Sequence, residues 1–212
     1  EVAATHTHQG TWEYPDGEAT FKVLVEMGWG PKPNYGDWHG TENEWVGEAA
    51  VDGGSLDAVM PRFNGWGQRY EQDGDACSFD ITTERNSPVY ETTQGLVLTV
   101  TGDADTELRV DVEGHEEMRA TLSELFGEAR VWAFTEECYA RIEEEFNLEP
   151  EDIGNKDGVY HNARKLKLHP AYPEAAYATT VEFEEVPDAD YHYVRASQTD
   201  RQYAWSSPVW VE

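Results

Sequence analysis

His6 and His8 stand two residues apart near the start of the chain, and on a strand side chains at i and i+2 point the same way, so both imidazoles could reach one metal ion. Asp37 and His39 repeat that spacing in Gly36-Asp37-Trp38-His39-Gly40 and are the candidates for further ligands. Such a set would hold a divalent cation able to activate water. The alternative for His6 and His8 is two polar residues facing solvent. A second chemistry is carried by indoles. Trp29, Trp38 and Trp66, with Trp45, lie in Gly-rich or turn-like surroundings, where a flat ring can stack on a sugar or another apolar ligand. The competing reading is core bulk. The acidic turns Asp73-Gly74-Asp75 and Asp103-Ala104-Asp105 offer hard oxygens to Ca²⁺ but lack EF-hand spacing, so solvated turns account for them. No Gly-x-Ser-x-Gly elbow or phosphate-binding loop occurs. Cys77 and Cys138 fit no zinc pattern and read as core thiols. Arg164, Lys165 and Lys167 with His161 and His169 form the one basic cluster, which would contact an anion or offset neighbouring acids on a sheet face.

These residues must be positioned mainly by strands. Runs at Phe21 to Glu26, Trp45 to Val51, Ser55 to Met60, Ala76 to Ile81, Gly95 to Thr101 and Glu107 to Glu113 are rich in Val, Leu and aromatics and are separated by Gly, Asp, Asn and Pro. Leu96, Leu98 and Val100 fall on one face, as do Leu108, Val110 and Val112 with Glu107, Arg109, Asp111 and Glu113 opposite, which is the period of half-buried antiparallel strands. Gly102-Asp103-Ala104-Asp105 reads as the hairpin turn between them. Thr121 with Glu124 has capping-box spacing, and Gly127 ends that turn. Thr135 reads as the cap of a longer helix with Cys138, Tyr139, Ile142 and Phe146 on one stripe. Strands then resume where Lys165 and Lys167 alternate with Leu166 and Leu168, at Tyr177 to Glu184, and in two closing runs, Tyr191 to Ser197 and Tyr203 to Val211. The expected fold is mainly β: one antiparallel β-sandwich domain over 1–212 with immunoglobulin- or fibronectin-like closing strands and a helical insertion around 121–147.

Charge narrows the habitat. The 212 residues hold 43 Asp plus Glu against 15 Lys plus Arg, a formal charge of -28, and the acids are spread through the whole chain. Phosphate backbones and anionic lipid surfaces would repel it, so neither nucleic acid nor membrane is an expected partner. With 12% aromatic residues it is not an acidic disordered segment. Molar salt shortens the screening length to about 3 Å and would relieve the self-repulsion, which points to a halophilic protein with salt ions at its surface. The cytoplasm of a high-salt organism is the expected compartment, with an extracellular brine as the alternative. The chain opens at Glu1 without Met, which is read as processing or as part of something longer.

The last twenty-odd residues, YHYVRASQTDRQYAWSSPVWV from Tyr191 to Val211, resemble the closing strands of microbial proteins in which a metal-dependent phosphoesterase-like domain of the polymerase and histidinol phosphatase (PHP) type is followed by a β-sandwich. In that group the chain commonly ends on a "YYVR…Q" strand paired with an "AWSSPIW" strand, and this chain resembles a haloarchaeal, hence archaeal, version of that C-terminal region. The resemblance implies a sandwich that accompanies a catalytic domain. It also lends Thr5-His6-Thr7-His8 and Gly36-Asp37-Trp38-His39-Gly40 the His-x-His and Gly-Asp-x-His openings of a PHP-like metal site. The rest of such a site needs an α/β barrel that a mostly strand-patterned chain of this length cannot supply. The reading is therefore a non-catalytic accessory or interaction domain, with a protein partner or a separate catalytic domain and no required cofactor. A metal-dependent phosphoesterase-like hydrolase, holding a divalent metal through His6, His8, Asp37 and His39, is the first alternative. A carbohydrate-binding module using Trp29, Trp38 and Trp66 is the second.

Overall fold

The structure is a computed structural model that describes residues 13–29, 43–84, 92–154, 156–178, 180–182, 190–197 and 203–210. His6, His8, Asp37, Trp38 and His39 lie outside the described residues. The chain forms two compact units, one spanning Gly10–Tyr177 and a smaller one whose described part begins at Ala178.

The larger unit is a mainly β antiparallel sandwich. One sheet contains β1 (Ala19–Trp29), β3 (Ser55–Arg62), β6 (Gln94–Gly102), β9 (Arg130–Ala133) and β10 (Arg164–Leu168) in the order β3-β6-β1-β10-β9, with the short β11 (Tyr172–Pro173) also paired to β1. The other holds β2 (Asn43–Asp52), β4 (Arg69–Asp73), β5 (Ala76–Thr83), β7 (Glu107–Val112) and β8 (Met118–Thr121) in the order β4-β5-β2-β7-β8. Alternation decides what each strand buries. Phe21, Val23, Val25 and Met27 of β1, Leu96, Leu98 and Val100 of β6, and Leu166 and Leu168 of β10 form one inner face. Trp45, Ala49 and Val51 of β2, Cys77, Phe79 and Ile81 of β5, and Leu108, Val110 and Val112 of β7 form the other. Both belong to one continuous core.

The turn at Gly102-Asp103-Ala104-Asp105 does not make the expected hairpin. β6 pairs with β1 and β3, whereas β7 pairs with β2 and β8, so this turn carries the chain from one sheet to the other. Period-2 alternation is the same for paired strands and for strands facing each other across a core, which is why the pattern could not separate the two. Thr106 fixes the crossover: its hydroxyl accepts from Asp103 N at 3.0 Å and donates to the Gly53 carbonyl at 3.0 Å.

The helical stretch is longer than expected and is interrupted by β9. The capping box of Thr121 and Glu124 is formed at the start of α1 (Leu122–Leu125), and Gly127 follows with a φ of 81°. The next helix, α2 (Thr135–Phe146), begins at Thr135 with Phe134 in the cap position, so Thr135 is not the cap, and Asn147 ends it in the left-handed region. A third helix, α3 (Lys156–Asn162), precedes β10. The strand expected from Tyr177 to Glu184 is not found among its described residues: Tyr177 closes α4 (Glu174–Tyr177), and 180–182 form no regular element.

In the smaller unit β12 (Tyr191–His192) pairs with β15 (Val209–Trp210), and β13 (Arg195–Ser197) pairs with β14 (Tyr203–Trp205). The two closing runs thus pair with each other as expected.

Candidate functional site

Ionisable side chains gather at two places on the sandwich. The first is the outer face of the six-stranded sheet. Glu26 of β1 points away from the core, between Val25 and Met27, which point into it. Arg62 of β3 and Glu26 both lie opposite Gly95 of β6, whose missing side chain leaves room for the Arg62–Glu26 ion pair of 3.3 Å to form across it. A Cβ at Gly95 would stand 2.7 Å from Leu24 Cδ1. Thr93 Oγ1 donates to Glu26 Oε1 at 2.6 Å, and His169 Nε2 lies 2.6 Å from Glu26 Oε2. Burial alone would raise the Glu26 pKa, but the hydrogen bonds from His169 and Thr93, together with the positive charges of His169 and Arg62, hold it at about 2. Glu26 is therefore an ionised acceptor at neutral pH. Beside this group Asn64 and Gln94 exchange hydrogen bonds, Asn64 N to Gln94 Oε1 at 2.7 Å and Gln94 Nε2 to the Asn64 carbonyl at 2.6 Å. The group fastens the end of β3 and the start of β6 to β1 and to the residue after β10.

The second gathering closes one end of the sandwich. Arg164, at the start of β10, donates through Nε and Nη2 to the Glu137 carboxylate of α2 at 2.8 and 2.5 Å and through Nη1 to the Glu44 carbonyl at 2.9 Å. Its guanidinium lies 4.8 Å from the centre of the Trp45 ring, and the imidazole of His115 stacks on Phe134 at 3.9 Å. His115 Nε2 is 3.0 Å from Glu137 Oε1. Bidentate geometry and an indole face are the settings in which arginine contributes most.

The basic run seen in the sequence is thus largely engaged. Arg164 binds Glu137, and His169 binds Glu26. Lys165, buried on the outer face, donates to the Ala163 carbonyl at 2.9 Å over the Tyr160 ring, and burial pushes its pKa down. The acidic turns are engaged as well: Asp75 accepts from Leu56 N at 3.0 Å and Asp103 from Asp105 N at 3.0 Å. Among the described residues no group of three or more His, Cys, Asp or Glu is arranged to hold a metal ion.

The indoles separate sharply. Trp45 is fully buried, and its Nε1 donates to Thr83 Oγ1 at 2.9 Å, so it is a core residue and not a platform. Trp29 ends β1 in the left-handed region, with φ 57°, and is half-buried. Trp66 is 99% exposed, between Gly65 and Gly67 at φ 90° and 89°. Three further exposed aromatic positions were read from the sequence only as strand residues: Trp205, Trp210 and Tyr203 of the C-terminal hairpin. The signal that could have found them is the scarcity of acids there, since Asp200 is the sole acid between Tyr191 and Val211.

Comparison with protein-family models, with curated proteins and with solved structures gave no match.

Proposed function

We propose that the chain is a non-catalytic accessory domain of a halophilic protein that makes its contacts through aromatic side chains held outside the core. One observation carries this reading. The ionisable clusters around Glu26 and Arg164 are tied up in structural pairs, while Trp66, Trp205 and Trp210 stand in water. Exposed indoles at 62% or more are costly to leave bare and are the residues that dominate binding surfaces. The closing-strand resemblance fits a sandwich that accompanies a PHP-type metal-dependent hydrolase as its C-terminal part. The uniform acidity fits the cytoplasm of a high-salt organism and argues against nucleic acid as partner. No helix among the described residues is long and apolar enough to cross a membrane.

The test is a phosphoesterase assay in molar KCl with Mn²⁺ or Zn²⁺ and p-nitrophenyl phosphate. No turnover above the protein-free rate is expected. Turnover that disappears in His8→Ala or His39→Ala would overturn the accessory reading in favour of a hydrolase using His6, His8, Asp37 and His39.

One observation favours a second reading. Trp66 sits at the tip of a connection whose two glycines adopt positive φ, which lifts the ring clear of its surroundings as a sugar-stacking platform requires. A glycan array probed in high salt, with Trp66→Ala as the control, decides it: signal that persists in the variant removes Trp66 as the platform.

A further inference from the structure

The C-terminal hairpin deepens the interaction reading, and rests on it, by naming a partner. Tyr191 pairs with Trp210, Arg195 with Trp205 and Ser197 with Tyr203, and directly paired residues share a face of an antiparallel ladder. Trp205 and Tyr203 therefore stand with Arg195 on one side of their ladder, with Ala196 and Ala204 on the other, and Tyr191 and Trp210 share a side of the neighbouring ladder. Between the two ladders Ser206 N donates to the Val194 carbonyl and Val194 N to Ser206 Oγ, both at 2.9 Å, which keeps the strands together past the extra residue in Ser206–Pro208. The rings touch in pairs: Tyr191 and Trp210 have centroids 5.3 Å apart, and Tyr203 and Trp205 stack at 5.9 Å.

Two quantities select the occupant. The four rings are 47 to 71% exposed. At about 200 Å² per aromatic side chain they expose on the order of 500 Å², enough for the apolar centre of an interface that buries about 800 Å² on each partner. The segment from Tyr191 to Val211 holds one of the 43 acids, Asp200, against Arg195 and Arg201, so two chains of charge -28 can meet there with reduced repulsion. Among the described residues Arg195 makes no ion pair, and it lies directly across from an indole. Two such faces brought together about a two-fold axis set each Arg195 over the other's indoles, a self-complementary cation–π arrangement. A two-stranded hairpin is also marginal alone in water and gains from a second layer.

We infer that the hairpin is a self-association surface through which two copies of this chain form a symmetric dimer. Sedimentation velocity in molar KCl, over protein concentrations from about 1 to 100 μM, is the experiment. The mass should move from 24.0 kDa toward twice that value as concentration rises. The double variant Trp205→Ser/Trp210→Ser should weaken the dimer at least tenfold. Arg195→Glu keeps every ring and should weaken it too. A wild type that stays monomeric throughout, or a dimer as tight in Arg195→Glu as in wild type, overturns the inference. A monomer leaves the accessory reading standing, whereas metal-dependent phosphoester turnover sinks that reading whatever the mass.

Discussion

Glu26 shows what a single carboxylate does when burial and hydrogen bonding oppose each other. Its ordinary pKa of 4.5 falls to about 2 because His169, Thr93 and Arg62 together outweigh desolvation. A pKa depressed in the folded state stabilises the fold fully above the unfolded value and loses that contribution as pH drops through the folded one. The window is therefore pH 4.5 down to 2, and the contribution at neutral pH is of the order of 3 kcal/mol. Urea unfolding of wild type and Glu26→Gln in parallel should show the variant about 2 to 3 kcal/mol less stable at pH 7. That gap should close as pH falls through the window. A gap constant from pH 7 to 2 would show that the loss is one of packing. None of this was legible in the sequence, where Glu26 is one acid among 43 and its partners lie 36, 67 and 143 residues away.

At the scale of elements the sequence was more informative. Six strands fall where runs of Val, Leu and aromatics stand between turn residues, and the box of Thr121 and Glu124 is built as its spacing predicts. What remained hidden was partnership. β4, β8 and β9 are short, β4 is exposed along its whole length, and the alternation of β8 is only Met118 and Ala120, too brief to mark a strand. The chain's passage from β6 across to β7 follows from which buried faces meet, a property of the assembled core. Gly47 marks how closely two of these elements fit. It lies opposite Phe79 of β5 and Val112 of β7, and a Cβ there would meet the Asp111 carbonyl at 2.1 Å and Phe79 Cζ at 2.8 Å. Backbone cannot give way as a side-chain tip can, so Gly47→Ala should cost roughly 3 kcal/mol. Thermal unfolding checks this, and a variant within about 0.5 kcal/mol of wild type would mean that β2 and β7 are not so paired.

For the whole molecule, charge sets the conditions under which the fold holds. With -28 on a folded chain, self-repulsion opposes compaction until counterions screen it. The melting temperature should therefore rise from about 0.1 M to molar KCl, as the screening length shrinks from about 10 to 3 Å. Unchanged or falling stability would remove the halophilic reading. Ion pairs and an apolar interior hold Gly10–Tyr177 together, and the rings of the acid-poor C-terminal hairpin are exposed.

Hydrogen exchange read by mass spectrometry, in molar KCl and at several protein concentrations, tests that division most directly. Amides of β1, β2, β6 and β7 should exchange only with global unfolding, independently of concentration. Those of 191–197 and 203–210 should exchange quickly in dilute protein and become protected as concentration rises. Hairpin amides as protected as those of β1 at the lowest concentration would contradict the account, because the rings would then belong to the cooperative core and not to a surface awaiting its partner.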